Sequence, residues 1–438
     1  MTSLTKKIAW NTGVQMAGKV AATFLGVVIT ILLTNYLGPA GFGVYTAITV
    51  FVLLFGSLAD WGLSLITVRE AAKNEREANQ IIGNVLLVRL VLTLGAVLVV
   101  NLLVHFWPTL VISPLPSGMD VPRLVLITSF FLLAISLKTS FQIIFNVRLA
   151  MQNSAISDLT ANVVAIGLIL FLTMQRAGLE EILWAFNVGH FLAAGVAAVL
   201  GFKMLRLDFK WLAGRSKFLL REALPMGSIL IIFTIYNRVD TVILAHFRPE
   251  AEVGYYGLAY RIYEVLVQGA AFFANAVLPI LSGLALTDRK RMAEIYNKSW
   301  VILMVMGMAV AGVNFVLSPL LPVVFKGFSG SVVAMQILSL SLMVSYLNHL
   351  NGYTIIALGK QWWSLGIAVV ALMVNVGLNL WLIPLFSYPA AAFITFVTEG
   401  LIVVLSMKVI GKELEINLSP AKMVRTIEDL VSRKEKLF

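Results

Sequence analysis

The sequence predicts an all-α polytopic membrane protein of about twelve transmembrane helices arranged in two six-helix lobes. Three observations carry that reading: 59% of the 438 residues are hydrophobic, only 13% are charged, and the mean hydropathy is +0.91. A soluble domain is about 45–50% apolar and about 25% charged. This chain has too little polar surface to cover a water-soluble globule.

Apolar runs of about 20 residues mark membrane helices. They fall at 9–35, 42–68, 81–106, 122–146, 155–175, 181–203, 222–247, 254–284, 299–319, 331–358, 362–383 and 389–409. Several exceed the minimum, which implies tilt, kinks or protrusion beyond the hydrocarbon. The first is too long for a signal-peptide core and no small-residue cleavage site follows it, so it is expected to remain as a span.

Basic residues collect in cytoplasmic loops. Of the 33 Lys and Arg, 24 lie in or at the edges of the even-numbered loops and at the two ends, and only Arg123, Arg176, Arg248 and Lys326 lie in or at the edges of odd loops. This places both termini in the cytoplasm, with the chain in the cytoplasmic (inner) membrane. It also accounts for the net charge of +11 without nucleic acid.

The expected division is an N-terminal lobe at 1–203, a basic cytoplasmic linker at 204–221, a C-terminal lobe at 222–410 and a cytoplasmic tail at 411–438. The tail carries "SPAKMVRTIEDLVSRKEKLF", where Ser419 can cap a helix and Pro420 suits its first turn. Met423, Ile427, Leu430 and Val431 would share one face of that helix, resting on the inner membrane surface.

Zero cysteines exclude disulfides and thiolate metal sites, and His105, His190, His246 and His349 are too scattered for metal-ligand spacing. No metal and no other cofactor is expected. The longest outer loop, "WPTLVISPLPSGMD", has three prolines and almost no group fit for catalysis. A membrane glycan polymerase or ligase would need acids, His or Arg there, so no catalytic residue is assigned and the chain reads as no enzyme.

Two stretches resemble each other: "TNYLGPAGFGVYTA" at 34–47 and "AHFRPEAEVGYYGLA" at 245–259. Asn35 and His246, Gly43 and Gly254, and Tyr45 and Tyr256 are each 211 residues apart. Each stretch reads as a sharp outer hairpin, with Pro39 or Pro249 ending one helix and Gly letting the next approach closely. Six spans on either side of the linker make the repeat a parallel one. Such two-lobed architecture belongs to transporters, whose sites lie near the midplane.

Nine charged residues fall well inside spans, toward mid-membrane: Lys19, Asp60, Arg89, Lys138, Arg238, Asp240, Arg261, Glu264 and Glu399. Such groups are costly and mark a bundle interior or a wet path. Six of the nine sit on spans 1, 2, 7 and 8, which flank the duplicated hairpin. Arg238 and Asp240, two apart, would point in different directions on a continuous helix, whereas Arg261 and Glu264, three apart, can pair. Arg89 and Lys138, about two turns from the cytoplasmic ends, lie within snorkelling reach. The alternative for the central cations and acids is a set of salt bridges that hold the lobes together.

Three stretches carry a family resemblance: "NTGVQMAGKVAATFLGVVITILLTNYLGPAGFGVYTA", "YNRVDTVILAHFRPEAEVGYYGLAYRIYEVL" and "ALGKQWWSLGIAVVALMVNVGLNLWLIPLFSYPAAAFITFVTEG". They resemble the polysaccharide flippases of the superfamily that also holds the multidrug and toxin extruders and the lipid II flippases. The resemblance implies two lobes forming a V around a central cavity. It also implies transport of undecaprenyl-diphosphate-linked oligosaccharide from inner to outer leaflet by alternating access. Arg238 and Asp240 match the family's R-x-D segment, and Arg261 matches the basic residue after the second hairpin. Lys19 sits where related flippases place a cation in the first span.

On that reading Lys19, Arg238 and Arg261 would meet the diphosphate, since Arg suits phosphate through its planar fork and Lys as a point charge. Asp60, Asp240, Glu264 and Glu399 would serve as coupling or interlobe acids, with a proton or sodium as the possible coupling ion. Trp61, Tyr236, Asn237, Tyr260, Tyr263 and Gln268 are candidate glycan contacts. A cation-coupled multidrug exporter would favour acids over cations in its path, because its substrates are mostly positive. A non-transporting scaffold would have little reason to keep cations at mid-membrane.

Overall fold

A computed structural model of the chain describes residues 3–415. The amphipathic helix expected at 419–431 lies outside the described residues. Helices joined by short turns account for the rest, with no strand among the described residues. In order they are α1 (Ser3–Asp60), α2 (Leu63–Lys73), α3 (Ala78–Phe106), α4 (Val121–Arg148), α5 (Met151–Met174), α6 (Leu179–Met204) and α7 (Ala213–Tyr236). There follow α8 (Val239–Phe247), α9 (Glu250–Thr287), α10 (Arg289–Leu317), α11 (Leu321–Val324), α12 (Ser331–Ala357) and α13 (Gln361–Leu414).

Ten helical segments among the described residues are long and apolar enough to cross a membrane. Two of them are far too long for one crossing: Trp10–Lys73 has 64 residues and Gln361–Leu414 has 54. At 1.5 Å per residue each exceeds twice the ~30 Å hydrocarbon thickness. Both fold back. Gly38 (φ 65°) followed by Pro39 turns α1, and Ser387 (φ 59°) between Pro384 and Pro389 turns α13. The two arms of α13 touch where the Asn375 amide donates to the Thr398 hydroxyl at 3.4 Å. Counted as two crossings each, these segments restore the expected twelve.

The chain divides into two compact units, Met1–Gly254 and the residues from Tyr255 onward. In the first, the Asn11 carbonyl accepts from the Met151 backbone at 2.9 Å, and the Tyr36 hydroxyl donates to the Ala177 carbonyl at 2.6 Å. The first arm of α1 therefore runs parallel to α5. The loop after α3 is pinned by the Ser113 amide on the Ala245 carbonyl at 2.9 Å. Arg69 meets Glu222 and Asn84 meets the Lys210 carbonyl at the opposite end of the unit. Loops thus alternate between two ends, as a polytopic chain requires.

The duplicated glycines meet within this unit. A Cβ on Gly43 would fall on the Glu250 carbonyl, and one on Gly254 would fall on the Pro39 carbonyl. The repeat identified equivalent positions; the structure packs them backbone against backbone. Buried apolar side chains fill each unit, with Ile82, Val85, Phe141 and Ile144 in the first and Tyr296, Leu303, Tyr346 and Leu350 in the second. Large apolar residues such as Phe171, Met174, Trp381 and Phe386 remain exposed. A chain apolar both inside and outside suits lipid as its solvent.

Two expected spans are interrupted. The run at 42–68 breaks at Trp61 (φ 48°) and Gly62 (φ 71°), and the run at 222–247 breaks between Tyr236 and Val239. A hydropathy run averages over many residues and does not register a one-residue change of backbone direction.

Candidate functional site

The break in span 2 sets up a buried charge of the first unit. Asp60 ends α1, and consecutive left-handed residues at Trp61 and Gly62 redirect the chain into α2. Gly62 is required there for a second reason: its Cα lies against α7, where a Cβ would come within 2.8 Å of the Gly227 nitrogen. So placed, the Asp60 carboxylate accepts from Ser64 at 2.6 Å and from Arg89 on α3 at 2.7 Å. Arg89 is only 3% exposed and also donates to the Thr139 hydroxyl on α4 at 2.8 Å. Next to it, Thr93 donates to Ser136 at 2.8 Å.

This corrects the snorkelling expectation for Arg89. A carboxylate partner at short range outweighs the extension of the side chain to the interface, because an ion removed from water needs a counter-charge. Lys138 likewise pairs inside the unit, with Asp158 on α5 at 2.7 Å, rather than reaching for the end of its helix.

The R-x-D segment sits at the second interruption. Asn237 closes α7 and Arg238, half-buried, is the N-cap of α8. The two side chains therefore do not stand on one continuous helix, and the directions expected from helical spacing do not apply. Asp240 is 2% exposed in the first turn of α8, where its carboxylate accepts from the Thr241 backbone at 2.6 Å. An acid at a helix N-terminus meets the positive end of the macrodipole. Tyr236 is buried, Trp61 is half-buried, and the Asn237 amide donates to the Phe233 carbonyl at 2.8 Å. Lys19 is exposed on the first arm of α1.

In the second unit Arg261 is exposed on α9 and makes no ion pair among the described residues. The Arg261–Glu264 pair allowed by their spacing is not formed, and Glu264 is half-buried. Tyr260 and Tyr263 are buried with rings 5.5 Å apart, and Gln268 is half-buried two turns further on. A polar chain starts from Tyr263, whose hydroxyl lies 2.5 Å from that of Ser345. Ser345 donates to the Glu399 carboxylate at 2.9 Å, and the Asn348 amide donates to the same oxygen at 2.7 Å. Two predicted residues, Tyr263 and Glu399, are thus joined through one hydroxyl.

Counting only charges misses the neutral polar groups. Ser345 and Asn348 complete the Glu399 site, and Thr139 completes that of Arg89. On α13 the buried Asn379 amide donates to the Asn375 side chain at 2.9 Å. The signal for these was an amide or hydroxyl every three or four positions within an apolar run, as in "NVGLN". Among the described residues no three His, Cys, Asp or Glu side chains are grouped to hold a metal ion.

A family model described as "Polysaccharide biosynthesis protein" matches residues 4–285, more than half of the chain. The chain belongs to this family. It is similar to a probable flippase, AglR, of Haloferax volcanii, with 23% identity over 430 residues, covering 93% of this chain and 84% of the relative. Among solved structures it resembles the lipid II flippase MurJ in an inward closed conformation, with a TM-score of 0.75 at 15% identity. That match covers 97% of this chain and 94% of MurJ. It also resembles an inward-facing multidrug resistance MATE transporter of the MOP superfamily, with a TM-score of 0.73 at 12% identity over 92% of this chain and 94% of the other. This member of the family is therefore a multi-pass membrane protein with the fold of the MurJ and MATE transporters.

Proposed function

We propose that this protein is a flippase that moves an undecaprenyl-diphosphate-linked oligosaccharide from the inner to the outer leaflet of the cytoplasmic membrane. It would do so by alternating access, for the synthesis of cell-surface polysaccharide. The observation that carries the reading is Arg261. It is exposed and makes no ion pair among the described residues, and it lies 11 residues into a 38-residue helix, about 16 Å from its start. A guanidinium at such depth costs a few kcal/mol or more unless water or an anion meets it. A diphosphate headgroup, which lipid does not solvate, is the anion a lipid-linked glycan brings.

Lys19 and Arg238 supply the other cations on this reading, and Trp61, Tyr236, Asn237, Tyr260, Tyr263 and Gln268 supply surfaces for sugar. Asp60, Asp240, Glu264 and Glu399 are the acids available for a proton or sodium ion. Both termini are read as cytoplasmic, with residues 1–203 and 222–410 as six-helix halves, 204–221 as their linker and 411–438 as a tail. Family membership and the flippase named among the relatives support the substrate class. The MATE likeness supports a second reading as a cation-coupled drug exporter, but cations in the path would repel positive drugs.

The test is export of a lipid-linked glycan by cells that carry variants in place of the native chain. Lys19→Ala and Arg238→Ala are each expected to abolish export while the protein remains inserted at normal levels. Full export by both variants would return these cations to a packing role.

A further inference from the structure

The segment joining α6 to α7 is not a slack tether. The Asp208 amide donates to the Asn79 carbonyl at 3.3 Å, the Asn84 amide donates to the Lys210 carbonyl at 3.1 Å, and the Ser216 hydroxyl donates to Asn84 at 3.0 Å. A Cβ on Gly83 would strike the Asp208 carbonyl, so the segment lies directly on α3. The rings of Phe202 and Phe209 are 6.3 Å apart and tie it to α6 as well.

The acids of this region are already taken. Glu222 holds Arg69 at 2.8 Å, Glu77 holds Arg215 at 2.5 Å, and Asp208 holds Lys210 at 3.0 Å. Lys203, Arg206, Lys217 and Arg221 are exposed and make no ion pair among the described residues. On α7 the residues Ser216, Leu219, Ala223 and Gly227 are buried. Lys217, Phe218 and Arg221 fall opposite them, within about 100° of arc. Phe202, Phe209, Trp211 and Phe218 are each about half exposed, at 45%, 47%, 54% and 51%.

We propose that this fixed strip is a binding surface for the anionic phospholipid headgroups of the leaflet at this end of the molecule. The four cations take the phosphates, and the aromatic rings take the boundary between headgroup and acyl chain, where such rings concentrate. An aqueous polyanion would satisfy the cations but leave four large rings in water, whereas a lipid surface satisfies both. The site depends on the chain's being a membrane protein and not on what it carries.

The experiment uses the full chain reconstituted in phosphatidylcholine vesicles that contain brominated phosphatidylglycerol or brominated phosphatidylcholine as quencher. The emission removed by Trp211→Phe isolates the signal from this strip. We expect the anionic quencher to suppress that signal on the order of threefold more than the zwitterionic one, since each basic side chain near an anionic surface adds a several-fold preference. Replacing Lys203, Arg206, Lys217 and Arg221 together by Gln should abolish the difference, and Lys217→Gln with Arg221→Gln should reduce it. Lys203→Arg with Lys217→Arg should keep it, as should added inorganic phosphate. Equal quenching by both lipids, or a preference that survives the fourfold change, would overturn the proposal. So would a preference erased by inorganic phosphate, which would mark a site for free anions.

Discussion

Asp60 in the first unit and Glu399 in the second are both carboxylates within membrane helices, and they accept hydrogen bonds from donors of different kinds. Asp60 faces a full positive charge at 2.7 Å, on a side chain that is 3% exposed. Glu399 accepts hydrogen bonds from the hydroxyl of Ser345 and the amide of Asn348. Protonating Asp60 would strip a buried guanidinium of its counter-charge. Protonating Glu399 would leave both neutral donors an acceptor, because a carboxylic acid keeps lone pairs on both oxygens.

The largest effect should come from breaking the closed pair on one side. Asp60→Ala leaves Arg89 buried without its carboxylate, a change worth about 3–5 kcal/mol. It should appear as a lowered thermal midpoint of the protein in detergent, or as failure to accumulate. Replacing both, Asp60→Leu with Arg89→Met, should recover most of the loss, since apolar residues of similar volume often substitute for a buried pair. A stable Asp60→Ala variant would remove the distinction between the two acids.

A second pair sharpens the same point at smaller amplitude. Lys138 is 14% exposed but its partner Asp158 is 36% exposed. Water or lipid headgroups reach Asp158 when its partner is gone, so Lys138→Gln should cost less than Asp60→Ala, about 1–2 kcal/mol. The same thermal measurement ranks the two. An equal loss would mean that exposure does not grade these pairs.

Much of the fold was legible in the sequence, because burial in lipid demands a run of about 20 apolar residues wherever the chain crosses. The two helices that cross twice were legible as pairs of spans because proline and glycine mark their turns. The interruptions at Trp61–Gly62 and Asn237–Arg238 were not, since each rests on one or two dihedral angles that hydropathy does not see. The pairing of Asp60 with Arg89 was hidden for another reason. Distance along a helix tells how far a side chain is from water, but not which neighbouring helix offers it a counter-charge. The neutral donors to Glu399 escaped notice because a serine and an asparagine in an apolar run carry no charge to attract attention. Gly43 and Gly254 were found as equivalents by their spacing, and their mutual contact became visible only in the fold.

The smallest structural effect belongs to Glu399→Gln. The amide retains an oxygen to accept from Ser345 or Asn348, so the change in thermal stability should stay within about 1 kcal/mol, the net value of one hydrogen bond. Its effect on transport should be of a different order. An amide cannot exchange a proton, so if Glu399 couples export to proton movement, the variant should lose the acceleration that a pH gradient gives the native chain. It should do so while folding and inserting normally. Export into vesicles with and without an imposed gradient measures this directly. An unaltered response to the gradient would assign Glu399 to packing. A large loss of stability would show that its carboxylate is held as tightly as that of Asp60, and the two units would then use their acids in the same way.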